Sequence, residues 1–407
     1  MRRSISITSL VSVATFFLAT LPLGAGAPDS RASDVRRVHA DLLFREGHVL
    51  EADAEYRAAI DLDQRNALAI YGSARILGAK GFRARRAALV RTAHALAPDD
   101  EEIGRAVDAL EERHEAELES PYRHYQLPYR IRPDGKGSFG AGLAISVHGV
   151  KSELRFDTGA GGVTVSTEFA LKARIQSVGR SRSWGIGSDR ETKAWLGYAD
   201  ELHIGDLAFK NVTVNVVEKR SLGQFSGLLG SDLFKRFLVK VDFSNHSIAL
   251  DPLFGPPWDG YTPVDAYTGT ETKPFTPILE FRHYLLIPTT VSEAEKSDAG
   301  SGLFLIDTGA GFNSLATTLA RSITTVRYNH HMSVQGVSGK VKMLYEAERV
   351  VLRFAGFREE FTRLAAFDLP NISSSAGVEV SGILGMPVLA TFGSITIDYR
   401  DAGILFK

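Results

Sequence analysis

The chain has 407 residues, 44% of them hydrophobic and 23% charged, with 47 basic against 48 acidic side chains and a net charge of -1. That is apolar material for two or three domains, and too even a charge balance to draw nucleic acid or an anionic membrane. With no cysteine in the sequence, disulfides, thiolate metal sites, a cysteine nucleophile and lipoprotein-type acylation are excluded, so any catalysis must use oxygen or nitrogen groups.

The opening residues, MRRSISITSLVSVATFFLATLPLGAGA, set two arginines ahead of an apolar stretch and end on Ala25-Gly26-Ala27, the pattern of a cleavable export signal. The apolar run approaches spanning length, which leaves a retained anchor as the alternative. Pro22 and the closing small residues predict cleavage after Ala27. Residues 1–27 are therefore expected to be a signal peptide, and the mature protein to be periplasmic or secreted, without membrane attachment.

Residues 33–118 are rich in Ala, Leu, Arg and Glu, lack proline before Pro98, and space their apolar residues three and four apart, which predicts helices. Ala40 and Ala74, Leu43 and Leu77, Gly47 and Gly81, and Ala59 and Ala93 repeat at an offset of 34. The spacing resembles a tetratricopeptide repeat, with Ala52, Tyr56 and Ala59 as the small, aromatic, small series of its second helix. The second copy departs from it, because Arg86 falls where the small residue belongs. Pro98 sits where the family ends a repeat, and an acidic capping helix is expected after it. The resemblance implies a groove for a peptide or partner protein. A helical spacer that stabilises its neighbour is the other reading, and no ligand residues are assigned. Residues 119–137, with three prolines, three tyrosines and no helical period, read as a linker.

Beyond this point short β-branched and aromatic runs are punctuated by glycine, which predicts an all-β region, and the region occurs twice. LRFDTGAGG, with Asp157, is matched by LFLIDTGAG, with Asp307. Each is followed by a polar-to-helical stretch, a Gly-rich hairpin (WGIGSD, then QGVSGK), alternating strands, an apolar motif (GLLG, then GILG) and a closing pair of strands. From the aspartate to the last glycine of the apolar motif is 73 residues in the first copy and 78 in the second. The copies are placed at 138–254 and 276–407, joined by a proline-rich linker at 255–275.

These paired motifs resemble the pepsin-like and retropepsin-like aspartic proteases, in which each lobe gives one Asp-Thr-Gly and an apolar strand ending in glycine passes beneath it. The resemblance covers roughly residues 138–407. The fold expected is multidomain: an N-terminal α-helical, tetratricopeptide-like repeat, then an all-β, two-lobed, pepsin/retropepsin-like protein. It implies an aspartic endopeptidase in which Asp157 and Asp307 activate water against a peptide bond. Two carboxylates about 3 Å apart cannot both ionise and so share a proton. Gly159 and Gly309 permit tight turns that aim backbone N–H groups at the carboxylates, and by resemblance Thr158 and Thr308 bond across the lobe interface.

Where pepsin-like enzymes place a Ser or Thr that bonds the carboxylate, this chain has Ala160 and Ala310. Loss of that donor predicts activity at weakly acidic to near-neutral pH. Trp184, Gly185, Gly187, Gly336 and Gly339 mark two flap candidates. Trp184 and Trp195 are flap contacts or, equally, cross-strand packing residues. No metal spacing or phosphate loop is present, so no metal, cofactor or nucleic acid is expected. The expected partner is a peptide or protein substrate in extended form. Competing readings are a non-catalytic peptide-binding adaptor on a protease fold, and a helical block that does the work on a β scaffold. The stretch AAFDLPNISSSAGVEVS has no counterpart in the first copy and is expected to shape or obstruct the cleft.

Overall fold

The computed structural model describes residues 29–111, 116–133, 139–183, 186, 192–218, 222, 224–253, 275–294, 296, 299–336 and 339–407. The expected signal segment, Trp184, Gly185, Gly187 and positions 255–274 of the expected linker lie outside these residues.

The helical composition of the N-terminal part resolves into α1 (Ser30–Arg45), α2 (Val49–Leu62), α3 (Ala67–Ala79), α4 (Arg83–Leu96) and α5 (Glu101–Glu111). Side-chain caps satisfy the opening N–H groups of three of them. Asp29 accepts from Ala32 at 3.0 Å, Asn66 from Ala69 at 3.1 Å, and Asp100 from Ile103 at 3.0 Å. Ala52, Tyr56 and Ala59 are buried, as their spacing predicts. Arg86 is accommodated because Gly78 stands beside it, and a Cβ on Gly78 would overlap the arginine stem. One repeat earlier the same two positions carry Phe44 and Ala52, so bulk and space have changed places.

Within each hairpin of helices the turn contains a glycine in the left-handed region, Gly47 at φ +85° and Gly81 at φ +86°. Both turns face the second β copy. A Cβ on Gly47 would lie 3.1 Å from the Glu379 carbonyl oxygen, and one on Gly81 would lie 2.9 Å from that of Arg400. Phe44 meets Phe281 edge-on at 5.7 Å, Arg83 pairs with Glu280 at 2.7 Å, and the Glu379 N–H donates to the Arg45 carbonyl at 2.9 Å. One apolar core joins Ala40, Phe44, Tyr56 and Ile76 to Leu303, Phe367, Ile372 and Val380. The segment without a counterpart in the first copy forms the platform for this contact. It folds into the short helix Pro370–Ala376, ends on Gly377 at φ +75°, and packs in the core it shares with the helices.

Each β copy closes on itself. In the first, Phe139–Val147 pairs with both Val150–Asp157 and Thr192–Ile204; in the second, Tyr284–Glu293 pairs with both Ala299–Ile306 and Tyr345–Phe354. The expected helical stretches are Thr167–Lys172 and Thr317–Ile323. The two closing strand pairs do more than end their own copies. Phe237–Asp242 and Ser394–Asp398 pair with each other, Val239 opposite Ile397, so a shared sheet ties the copies together.

That sheet also takes in Tyr125–Pro133, a strand within the segment expected to be a linker. Its signal was the alternation of buried Tyr125, Leu127 and Tyr129, masked by proline. Pro128 is tolerated because the strand changes partner there: its last pairing in the shared sheet is Pro128 with Ser247, and its next is Tyr129 with Leu143 in the first barrel.

Candidate active site

Asp157 ends the strand Val150–Asp157, which runs parallel to the GLLG strand with Asp157 opposite Gly230. Asp307 follows Ala299–Ile306, parallel to the GILG strand, and its N–H donates to the Leu384 carbonyl at 3.0 Å. Each apolar strand pairs on its other side with the chain leaving the loop, Val163–Ser166 and Ser314–Leu315 respectively. Both Asp-Thr-Gly loops are thus pinned from both ends, with the outgoing strands and the GLLG and GILG strands buried throughout.

The loops meet through their threonines. The Thr158 N–H donates to Thr308 Oγ1 at 3.1 Å, the Thr308 N–H donates to Thr158 Oγ1 at 2.9 Å, and Thr158 Oγ1 donates to the Ile306 carbonyl at 2.7 Å. Both side chains are buried. Hydrogen bonds without access to water hold geometry firmly, because breaking one leaves an unsolvated polar group.

The glycines complete the arrangement. Gly159 and Gly309 each donate an N–H to their own aspartate at 2.8 Å. Each also lies against the opposite aspartate: a Cβ on Gly159 would lie 2.7 Å from Asp307 Cγ, and one on Gly309 would overlap the Asp157 carboxyl. The two carboxyl groups are hydrogen-bonded to each other. Burial, then the neighbouring charge of Asp157, hold the Asp307 carboxyl well above the usual carboxylate range, against an opposing pull from Arg155. In place of a hydroxyl after each triplet, Ala160 and Ala310 turn their N–H groups back on the Asp157 and Asp307 carbonyls at 3.2 Å.

Over the second loop, Gln335–Gly336 pairs with Gly339–Lys340. Gly336 abuts the backbone of Ile186, the described residue at the tip of the first hairpin, so closely that a Cβ would overlap the Ile186 carbonyl. The tips of the two expected hairpins therefore touch. Ile186 also packs against the apolar core that contains Ala310 and Val334. Trp195 is paired with Arg180 and Val216 in the sheet and packed on the barrel core, which is the packing arrangement.

Several neighbours carried no recognised motif. His283, on the turn after Leu279–Phe281, crosses to the first loop, where a Cβ on Gly161 would lie 2.6 Å from its Nδ1. Burial, with help from Arg282, brings its pKa down to about 4, so it is neutral at ordinary pH. Tyr284 beside it is buried and bonded to Ser375, and Arg155 donates to the Gly309 carbonyl. Asp232, directly after GLLG, accepts from the Gly162 N–H at 2.8 Å, and burial raises its pKa.

Two cavities related by the duplication flank the loops. One, of about 380 Å³, lies where Phe139 and Gly140 meet Thr308 and Gly311; the other, of about 400 Å³, lies where His283 meets Gly161 and Asp232. Aromatic Tyr129, Phe156 and Phe243 line the first, while Lys235 and Arg236 add charge to the second.

A family described as Aspartyl protease matches residues 143–233, a stretch that spans the first Asp-Thr-Gly and the GLLG strand. Among solved structures the chain is similar to an aspartic proteinase from Irpex lacteus, at 12% identity and a TM-score of 0.42, over 70% of this chain and 97% of that one. None of the curated proteins matches.

Proposed function

We propose that this protein is an exported aspartic endopeptidase that hydrolyses peptide bonds in extended, apolar segments, using water activated between Asp157 and Asp307. The observation that carries the reading is the reciprocal packing of the two loops, each glycine lying against the other loop's carboxyl. The match to the Aspartyl protease family over the first loop supports it. A structural role alone would not demand that a half-buried Asp157 face a buried Asp307, since an unshared pair of charges there is costly.

One shared proton makes the pair a base and an acid at once. One carboxyl takes a proton from water as its oxygen attacks the scissile carbonyl carbon, and the other gives its proton to the carbonyl oxygen, forming a neutral gem-diol. Breakdown returns a hydroxyl proton to the pair as the C–N bond breaks, and the amine leaves carrying a proton from it. The touching hairpins would exclude water and add strand-type bonds to a bound peptide.

The helical block, whose spacing resembles a tetratricopeptide repeat, acts in this reading as a built-in support of the second copy. Its turns are seated on that copy at Gly47 and Gly81, which favours support over a removable propeptide.

The test is cleavage of a mixed peptide library between pH 3 and 8 by residues 28–407, beside Asp157→Asn. Cuts that vanish in the variant support the peptidase. A folded native protein silent at every pH, yet retaining peptides, would replace it with a non-catalytic binding module.

A further inference from the structure

The geometry points to Arg155 as a positioning residue for the pair: reaching from the first copy, it holds the second copy's loop and loads the pair with positive charge from one side only. This rests on the reading of Asp157 and Asp307 as a proteolytic pair.

Arg155 lies two residues before Asp157 on Val150–Asp157, so the strand's alternation turns both side chains to one face. Its strand neighbour Phe139–Val147 leaves a track for the stem: a Cβ on Gly140 would lie 3.1 Å from Arg155 Cδ and 3.0 Å from Nε. Nη2 then donates to the carbonyl of Gly309, whose own N–H donates to Asp307. The guanidinium bond and the carboxylate bond therefore fall on the two adjacent peptide units that flank the Gly309 Cα. A rigid, charged fork suits this task, because it fixes direction as well as charge.

The duplication shows that this feature is one-sided. The position matching Arg155 in the second copy is Leu305, fully buried in the core shared with the helices. Leucine cannot bond the Gly159 carbonyl, so the two loops are held differently. The groups facing the pair are few. Asp157 and Asp307 come from the loops, Tyr284 and neutral His283 from one hairpin, and Glu153 lies further along the arginine's own strand, paired with Arg132 at 3.1 Å. Arg282, on that hairpin, acts on His283 and Tyr284, while among the described residues Arg155 is the cation that opposes the rise that burial and Asp157 impose on Asp307.

The experiment is the pH profile of kcat/KM for the native protein, Arg155→Leu and Arg155→Lys, with Asp157→Asn run alongside. Arg155→Leu should move the limbs of the profile upward by about one pH unit and lower kcat at its own optimum by about tenfold. Arg155→Lys keeps the charge and should leave the limbs in place while lowering kcat. A uniform loss with unmoved limbs in Arg155→Leu would overturn the proposal. Cleavage that persists in Asp157→Asn would instead overturn the protease reading beneath it. Should Arg155→Leu be inactive throughout, urea midpoints at pH 4 and pH 7 decide. A deficit against native that grows with pH supports a counter-charge to ionised Asp307, and a constant deficit refutes it.

Discussion

Replacing Thr158 by valine tests the lock between the two loops with almost no change of shape. The hydroxyl is buried, donates to the Ile306 carbonyl at 2.7 Å and accepts from the Thr308 N–H at 2.9 Å. Valine leaves both backbone groups without a partner or water, at about 1–3 kcal/mol each. The expected loss is about 2–6 kcal/mol, a large part of the roughly 5–15 kcal/mol that holds a typical domain folded. Thr158→Ser keeps both bonds and sheds one methyl, for roughly 1 kcal/mol. Urea denaturation of the two variants and the native protein measures the difference. Peptide cleavage measures the consequence, for which a loop displaced by about 1 Å predicts a loss of about a hundredfold in Thr158→Val. Equal midpoints for the serine and valine variants, or a valine variant within about 1 kcal/mol of native, would refute the reasoning.

Two further predictions concern pH and docking. The folded Asp307 carboxyl titrates above its unfolded value, so its contribution to stability is fully present below the unfolded pKa and is lost as pH rises through the folded one. Asp307→Asn removes that loss, so thermal midpoints should show the variant gaining on the native protein between pH 4 and pH 7; an unchanged gap would count against a protonated Asp307. Gly81→Ala places a Cβ 2.9 Å from the Arg400 carbonyl oxygen at φ +86° and should cost about 1–2 kcal/mol for the backbone alone. Gly104→Ala, on a helix with nothing near its Cβ, should instead stabilise by up to about 1 kcal/mol, and urea midpoints that fail to separate the two would remove the docking argument.

The duplicated motifs made the centre of the molecule readable. Asp-Thr-Gly behind an apolar run, with an apolar-Gly strand some seventy residues later, dictates a short chemical pattern that sequence preserves in full. Long-range partners left no such trace. Arg155 reads as one exposed charge on an alternating strand, and only the fold puts it against Gly309. His283 looks like a turn residue because Gly161, which it packs against, lies more than a hundred residues earlier. Tyr125–Pro133 was hidden by proline, whose meaning changes once a strand is known to switch sheets at Pro128.

The departures from symmetry share one origin. Two identical halves would need only the shared sheet and the threonine lock to meet. Here the second copy also carries the platform around Pro370–Ala376 and a buried Leu305, both absorbed into the core that receives the helices. With Leu305 committed to that core, the second copy has no cation at this position to reach the first loop, whereas the first copy carries Arg155 there. Asymmetry at the carboxyl pair is thus the near end of a chain of packing that begins at Gly47 and Gly81. The half that docks the helical block is the one with leucine at this position, and the other half is the one with the arginine.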